Sequence, residues 1–320
     1  MNEPGFYFKY SEQMKEKYGQ KVYKIPVNLP VSCPVRDGSL SSEGCIFCGE
    51  KAAGHESLAN TLTPAMQIQQ NIDYIAPNYG AKLFEIYFQN FTNTYLPPAS
   101  FENYLRDGIQ ADDRIVRIGI STRPDCISEE YLVILKKISE EFGLDISIEL
   151  GLQSVNASTL RIINRGHGLA EYIDAVMKIH PFRFEVCTHL ITSLPWDTRD
   201  DIIEAAKILS VLHTNSVKLH SLYVEKETHL ADMYLSGGFH PITLHEYIGR
   251  TADFLEYLDP GVSVQRLSAR VPEEVSLFAN WGRSHWVLQD MILNELRERG
   301  SFQGIKAGYG CDAQVRKFLV

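Results

Sequence analysis

The sequence contains no run of about 18 apolar residues, which is the length that a helix needs to cross a bilayer. Its first residues also lack the basic segment and apolar stretch that mark a secretory signal. We therefore expect a cytoplasmic protein with no membrane partner. In that reducing compartment, clustered cysteines more often bind metals or take part in catalysis than form disulfides.

The sequence also has fewer basic than acidic residues. The 320 residues include 31 Lys and Arg against 40 Asp and Glu, which gives a net charge of −9. An acidic chain has no general attraction to a phosphate backbone, so a nucleic-acid substrate would need a local basic patch. Neither G-x-G-x-x-G nor G-x-x-x-x-G-K-[ST] follows a predicted strand, which argues against dinucleotide and P-loop nucleotide sites.

What the sequence does contain is an alternation of short apolar strands with amphipathic helices. The predicted strands are 22–29, 83–89, 115–121, 146–150, 184–191, 217–224 and 262–267. The predicted helices are 64–75, 101–109, 129–142, one or two within 156–180, 198–212, 243–258 and 287–299, with Thr63, Ser100, Ser128 and Asp197 as N-caps. This alternation predicts an α/β fold with a parallel sheet, built as an open doubly wound sheet or as a full or partial barrel.

A loop after the first predicted strand holds half of the six cysteines. They are Cys33, Cys45 and Cys48, spaced C-x11-C-x2-C. Three thiolates can hold a [4Fe–4S] cluster and leave one iron open, can form a structural zinc site with His55 as the fourth ligand, or can stay unligated. Phe47 has no obvious role in a zinc knuckle but could pack against a flat ligand ring, which favours the iron–sulfur interpretation. The scattered cysteines, expected to be buried structural thiols, are Cys126, Cys187 and Cys311.

Polar side chains collect just after the ends of several predicted strands, where βα barrels place their sites. The clusters are 89–95, 121–125, 149–154, 164–167 and 189–195, together with Lys218, His220 and Tyr223. Each alone has a structural explanation: Arg165 could neutralise a helix C-terminus, and a histidine such as His189 in an apolar strand is more often part of the core. Together they suit a sugar-bearing, cationic ligand with a carboxylate, and their placement favours a barrel.

With these motifs assembled, the sequence resembles the radical SAM superfamily and, within it, the bacterial YhcC-type family, a relative of the catalytic subunit of elongator. The shared motifs are Cys-Pro-x-Arg-Asp-Gly at 33–38, Thr-Asn-Thr-Tyr at 92–95, Ser-Thr-Arg-Pro-Asp-Cys at 121–126, Glu-Leu-Gly-Leu-Gln-Ser at 149–154, Asn-Arg-Gly-His at 164–167, Val-Lys-Leu-His at 217–220 and Glu-Tyr at 246–247. The resemblance implies a partial (β/α)6 TIM-like barrel at 22–267, an N-terminal arm at 1–21 and a C-terminal helical extension and tail at 268–320.

The resemblance also implies cofactors: a [4Fe–4S] cluster on Cys33, Cys45 and Cys48, and S-adenosylmethionine (SAM) on its open iron, which yields a 5′-deoxyadenosyl radical. The implied SAM contacts are Phe47 with the adenine, Gln89 and Asn90 near the methionine amine, Ser121 and Gln153 at the ribose or methionyl group, and Arg165 at the carboxylate, with Arg123, Glu149, His189 and Ile191 completing the set. Lys218, His220 and Tyr223 are the catalytic candidates. The sequence departs from the family pattern at Val35, His189 and Ser193, which affects the ribose contacts rather than the cluster.

Kinship with elongator implies an enzyme that modifies the wobble uridine of tRNA, at a carboxymethylaminomethyl-type side chain. The Lys- and Tyr-rich arm at 1–21 could touch nucleic acid, although an amphipathic helix that closes the fold explains it more simply. The alternatives are a radical SAM enzyme for a small metabolite or peptide, and a non-catalytic zinc-binding interaction module. Radical chemistry further implies an external one-electron reductant of the flavodoxin or ferredoxin type as a partner.

Overall fold

The computed structural model of the chain describes residues 5–50, 54 and 56–308, so His55, Cys311 and the end of the expected tail lie outside the described residues. The strands are β1 Val22–Val27, β2 Leu83–Phe88, β3 Ile115–Thr122, β4 Asp145–Gln153, β5 Glu185–Ile191, β6 Ser216–His220, β7 Tyr223–Glu225, β8 Ser263–Arg266 and β9 Ser276–Ala279. The helices are α1 Tyr10–Tyr18, α2 Pro64–Tyr79, α3 Pro98–Ile109, α4 Glu129–Phe142, α5 Ala157–Ile162, α6 Leu169–Ile179, α7 Arg199–Val211, α8 His229–Leu235, α9 Leu244–Tyr257 and α10 His285–Glu298.

The main sheet has seven strands in the order β1-β2-β3-β4-β5-β6-β8, and every neighbouring pair is parallel. Helices pack on its outer face over one extensive apolar core, which explains why β2 and β4 are buried along nearly their whole length. The sheet curls into a half-barrel, and the predicted α/β partial barrel is confirmed. Among the described residues, no helix is long and apolar enough to span a bilayer.

The inner face of the half-barrel is polar. The Lys24 ammonium of β1 lies 2.5 Å from Glu149 of β4, and Lys218 of β6 donates to the Tyr87 hydroxyl of β2 at 3.2 Å. These strands are not neighbours in the sheet, so the contacts cross its concave interior. Since side chains alternate between the two faces of a strand, the polar residues that interrupt the apolar strands point inward rather than toward solvent.

Helix α1 closes one end of the half-barrel. The Tyr10 hydroxyl donates to Glu85 at 3.2 Å, and Lys17 pairs with Glu185 at 2.9 Å. The backbone N–H of Val264 donates to Phe8 at 2.8 Å, which ties the segment before α1 to β8. These contacts attach the N-terminal segment to the half-barrel, and Lys17 makes its ion pair at the surface.

The start of helix α7 differs from the expected one. Thr198, not Asp197, is the N-cap: its side chain accepts a hydrogen bond from the N–H of Asp201, whose carboxylate in turn accepts from the N–H of Thr198. The Asp197 carboxyl is instead buried and accepts a hydrogen bond from the Ser154 hydroxyl at 2.8 Å. Burial raises the pKa of Asp197 from its ordinary value of 3.8 to about 6.

This buried carboxyl predicts a pH-dependent effect of Asp197→Asn. Between pH 4 and 6 the folded protein retains a proton on Asp197 that the unfolded chain has lost, so the stability of the wild type falls as pH rises. Asparagine does not titrate in this range, so the wild type should lose about 2 kcal/mol of unfolding free energy relative to the variant between pH 4 and 7. Urea unfolding at a series of pH values measures this difference. A difference independent of pH would contradict the prediction.

Candidate functional site

The three loop cysteines follow β1 and come together in a small cluster. Cys33 and Cys45 are buried, Cys48 is half-buried, and Val35 and Phe47 pack against them. The loop is attached to the turn after α5, because the Ile46 N–H donates to the Ile163 carbonyl at 3.2 Å and the Asn164 amide donates to the Gly44 carbonyl at 2.6 Å. The neighbouring Arg165 belongs to the same turn, so the motifs at 33–48 and 164–167 form one site.

Each cysteine sulfur has one arginine nitrogen close to it. The pairs are Arg165 Nη1 and Cys45 Sγ at 3.3 Å, Arg36 Nη1 and Cys48 Sγ at 3.6 Å, and Arg123 Nη1 and Cys33 Sγ at 4.0 Å. The guanidinium groups are held by other contacts: Arg165 donates to the Gly151 carbonyl at 2.6 Å, Arg36 to the Gly49 carbonyl at 3.0 Å, and Arg123 to both oxygens of Asp125. Three fixed positive charges thus surround three sulfur atoms.

The Cys48 thiol shows how burial and charge compete in this cluster. Burial and the neighbouring Cys45 raise the pKa of Cys48 to about 12, while Arg36 acts in the opposite direction. The thiol therefore keeps its proton at neutral pH unless a cation binds to the sulfur. Metal binding at such a site releases a proton and makes affinity depend on pH.

A cavity of about 140 Å³, here called the cysteine cavity, lies beside the three cysteines. Seven of the ten implied SAM contacts line it: Phe47, Gln89, Ser121, Arg123, Gln153, Arg165 and His189. They come from the cysteine loop, four strand ends and the turn after α5, as the placement of polar residues at strand ends leads one to expect. Gly151 lines it too, and a side chain there would collide with Arg165 Nη2, which lies 2.7 Å from the position of a Cβ.

The other three residues expected to contact SAM line neither of the cavities described here. Asn90 is buried, and its amide oxygen accepts from Ser57 at 3.4 Å. Ile191 packs in a second apolar cluster behind the cysteine loop. Glu149 is fully buried, and its carboxylate is occupied by two lysines and a histidine. The SAM contacts expected at these three residues stay predictions.

Glu149 organises the centre of the inner face. Its Oε1 lies 2.5 Å from Lys24 Nζ, and its Oε2 contacts both Lys218 Nζ and, at 2.7 Å, His189 Nε2. The cationic neighbours outweigh burial and hold the pKa of Glu149 well below its ordinary value. Glu149, Cys187 and His189 also form the one set of three potential metal ligands whose atoms lie within 4.8 Å of one another in the described part of the chain. Because the lysines already neutralise this carboxylate, we assign the set no metal.

A second, larger cavity of about 1020 Å³ opens next to the first and is called the large cavity. Five residues line both cavities: Tyr87, Gln89, His220, Tyr223 and Arg266. Two catalytic candidates, His220 and Tyr223, thus stand at the junction, and the third, Lys218, lines the large cavity. Burial lowers the pKa of Lys218 to about 8 and lowers that of His220 well below its ordinary value, so His220 is neutral at pH 7.

Three residues of the site escaped the sequence interpretation. Arg36 lies inside the Cys-Pro-x-Arg-Asp-Gly motif. Tyr87 lies two residues after Glu85, on the same inner face of β2, and Arg266 is the last residue of β8. The rule that βα barrels place functional groups at strand ends would have found Arg266. The pairing of Arg36 with Cys48 depends on how the loop folds back on itself, which no local pattern reveals.

Comparison with protein-family models gives two matches: residues 41–209 match the Radical SAM superfamily and residues 214–298 match the Radical_SAM C-terminal domain. The chain is 35% identical to protein MJ0486 of Methanocaldococcus jannaschii over 94% of this chain and 93% of that protein, and 28% identical to protein YhcC of Escherichia coli K12 over 91% and 93%. It is 27% identical to a tRNA uridine(34) acetyltransferase of Methanocaldococcus infernus, over 52% of this chain and only 30% of that protein.

Among solved structures, the chain is similar to the archaeal Elp3 of Methanocaldococcus infernus with residues 1–46 deleted. The TM-score is 0.68 over 88% of this chain and 64% of that chain, at 18% sequence identity. At this identity the likeness concerns the fold, and it agrees with the predicted partial barrel.

Proposed function

The chain belongs to the radical SAM superfamily, and on this premise we propose that Cys33, Cys45 and Cys48 hold a [4Fe–4S] cluster and that the cysteine cavity binds SAM. When bound and reduced, this pair of cofactors supplies a 5′-deoxyadenosyl radical that abstracts hydrogen from a substrate. Family membership favours an enzyme over a non-catalytic zinc module. An external one-electron reductant of the flavodoxin or ferredoxin type would deliver the electron.

The spacing of the sulfur atoms supports a cluster rather than a single zinc ion. The sulfur atoms of Cys33, Cys45 and Cys48 do not all lie within 4.8 Å of one another. Two zinc–sulfur bonds of about 2.3 Å at a tetrahedral angle would bring the sulfurs to roughly 3.8 Å. The donor set fits as well, because three guanidinium groups offset the negative charge of three thiolates in a buried site.

The residues that line the cysteine cavity have the chemistry that SAM requires. Phe47 offers an aromatic face for the adenine, while Ser121 and Gln153 offer hydrogen-bonding groups for the ribose or methionyl group. Arg165 and Arg123 bring positive charge to the side of the methionine carboxylate. We place His189 at the ribose, neutral because burial and Lys218 lower its pKa to about 4.

The proposal for the substrate is based on the junction of the two cavities. The group that loses hydrogen must reach SAM from the large cavity, between His220 and Tyr223. We propose the carboxymethylaminomethyl-type side chain of the tRNA wobble uridine. The similarity to a tRNA uridine(34) acetyltransferase supports this choice, although the chain spans 30% of that protein and its acetyl transfer is not carried over.

The experiment compares modified nucleosides in tRNA from cells with and without the gene. We expect the carboxymethylaminomethyl form of the wobble uridine to accumulate in the deletion strain and to disappear when the wild-type gene is restored. A gene with Cys48→Ala should not restore the pattern. An unchanged wobble-nucleoside profile would reject the tRNA substrate.

A small metabolite or peptide is the second candidate substrate class. The large cavity has about the volume of an ordinary small-molecule pocket. If the nucleoside profile does not change, metabolites and peptides that accumulate in the deletion strain become the next place to look.

A further inference from the structure

The large cavity is basic although the chain is acidic. Its lining includes five cationic side chains and two anionic ones: Lys24, Lys218, Arg266, Arg270 and Arg283 against Glu56 and Glu273. The whole chain has a net charge of −9. A local excess of positive charge in an acidic protein is the electrostatic mark of a site for an anion.

The two lysines do not account for this excess, because carboxylates beneath the cavity compensate them. Lys24 lies 2.5 Å from Glu149 and 3.4 Å from Glu85, and Lys218 contacts the other oxygen of Glu149. Glu85 is also 3.6 Å from the buried Arg117, which pairs in turn with Glu185 at 2.6 Å. Lys17 joins the network through Glu185 and Asp145, both at 2.9 Å. The network therefore contains four cations and four carboxylates, and it leaves no charge for a ligand.

Arg266 is different. Its guanidinium makes no hydrogen bond and no ion pair with any residue in the described ranges, although Lys24 and Lys218 nearby are fully paired. It lies at the wall shared by the two cavities, beside His220 and Tyr223. Burial lowers the pKa of Arg266 from its ordinary value and outweighs the opposite effect of Tyr87 and Glu149. A charge in such surroundings is costly unless an anion joins it.

The charge balance also indicates which anion fits. Arg266 contributes one positive charge at the junction that has no ion-pair partner among the described residues, and a carboxylate matches this charge whereas a phosphate dianion exceeds it. The planar guanidinium can bind both oxygens of a carboxylate. Arg270 and Arg283 are exposed, so they belong to the mouth of the cavity rather than to its depth.

We propose that Arg266 binds a carboxylate of the substrate at the junction of the two cavities, while Arg270 and Arg283 attract phosphates at the mouth. The identification of that carboxylate as the one on the carboxymethylaminomethyl side chain rests on the proposed function. The ability of Arg266 to select a carboxylate is independent of the proposed function. Arg266 is thus a specificity-determining residue that fixes the side chain beside the reacting region.

The first experiment tests the carboxylate site without RNA. N-benzylglycine carries an aromatic ring, a secondary amine and a carboxylate, and N-benzylglycinamide replaces only the carboxylate with an amide. Ligand-observed NMR titration should show that the wild-type protein binds the acid at least tenfold more tightly than the amide. Arg266→Gln should abolish this preference, Arg266→Lys should retain part of it, and the exposed Arg183→Gln, away from both cavities, should leave it unchanged. Thermal unfolding checks that the variants are folded.

Two outcomes of this titration would overturn the proposal. One is that the wild type shows no preference for the acid, which includes the case that neither probe binds. The other is that Arg266→Gln keeps the wild-type preference. If the same variant instead weakens SAM binding tenfold and leaves the probes unaffected, the carboxylate belongs to SAM and the proposal is wrong.

The second experiment separates this inference from the proposed function. Anticodon stem-loop RNAs carry either carboxymethylaminomethyluridine or aminomethyluridine at the wobble position. The wild type should prefer the first RNA about tenfold, Arg266→Gln should lose that preference, and Arg283→Gln should weaken both RNAs equally and flatten the salt dependence. If neither RNA binds while the acid preference persists, the tRNA substrate is wrong and the carboxylate site stands. If both RNAs bind and Arg266→Gln still discriminates, the carboxylate site is wrong and the tRNA substrate stands.

Discussion

Replacing any one of Cys33, Cys45 and Cys48 with alanine will abolish the formation of 5′-deoxyadenosine from SAM. The three sulfurs are buried together beside a cavity, and each is faced by one arginine nitrogen. Removing one ligand of three leaves a cluster with too few protein bonds to hold it. The measurement is chromatography of the nucleoside after anaerobic reconstitution and reduction, with iron content determined in parallel.

Two other cysteines provide matched controls for this loss. Cys187 is buried beneath the inner face, where the Gln265 amide lies 3.1 Å from its sulfur, and Cys126 follows β3. Neither lines the cysteine cavity or the large cavity. Cys126→Ala and Cys187→Ala should keep the iron content and the SAM cleavage of the wild type. Full cleavage by Cys48→Ala, or its loss in Cys126→Ala, would refute the assignment of the ligands.

The seven strands of the main sheet could be predicted because each is a short apolar run between turn signals. The predicted strand 217–224 is in fact two strands, β6 and β7, and the reason is a long-range contact. The Ser221 hydroxyl accepts from the N–H of Ala269 at 3.0 Å and contacts Asn280, which turns the chain out of the main sheet at this point. The two-stranded ribbon of β7 and β9 depends on the same contacts, so local periodicity could not reveal it.

The residues of the site likewise fall into those that the sequence could place and those that depend on long-range contacts. Residues at strand ends, such as Gln89, Ser121 and Gln153, could be placed at the cavity because parallel strands bring their ends to one edge. Glu149 could not be placed in this way. It stands within β4, and the partners that occupy its carboxylate come from β1, β5 and β6. Once those strands curl around it, this carboxylate lies at the centre of an ion network, which no local pattern in the sequence reveals.

That network leads to the largest stability effect that we expect. Glu149→Gln keeps the size of the side chain but leaves Lys218 buried without a carboxylate to neutralise it, while Lys24 keeps the more distant Glu85. Breaking a buried ion pair by removing one partner typically costs about 3–5 kcal/mol. Urea unfolding at pH 7 should show a loss of this size. Glu102→Gln, which removes a carboxylate from a surface cluster with Arg106 and Lys137, should cost less than about 1 kcal/mol.

A double variant and a change of pH test whether the loss comes from unpaired charge. In Glu149→Gln with Lys218→Met, the lysine that has lost its partner is gone, so the double variant should cost clearly less than the sum of the two single changes. Raising the pH from 7 to 9 should also shrink the deficit of Glu149→Gln. Burial already lowers the pKa of Lys218 to about 8, and Glu149 acts in the opposite direction, so removing Glu149 lowers this pKa further. Stability rises with pH where the folded form has released a proton that the unfolded chain retains, and this range begins at a lower pH in the variant, which therefore gains more than the wild type. Additive costs, together with a deficit that does not change with pH, would mean that Glu149 acts through packing rather than through the charge that it neutralises.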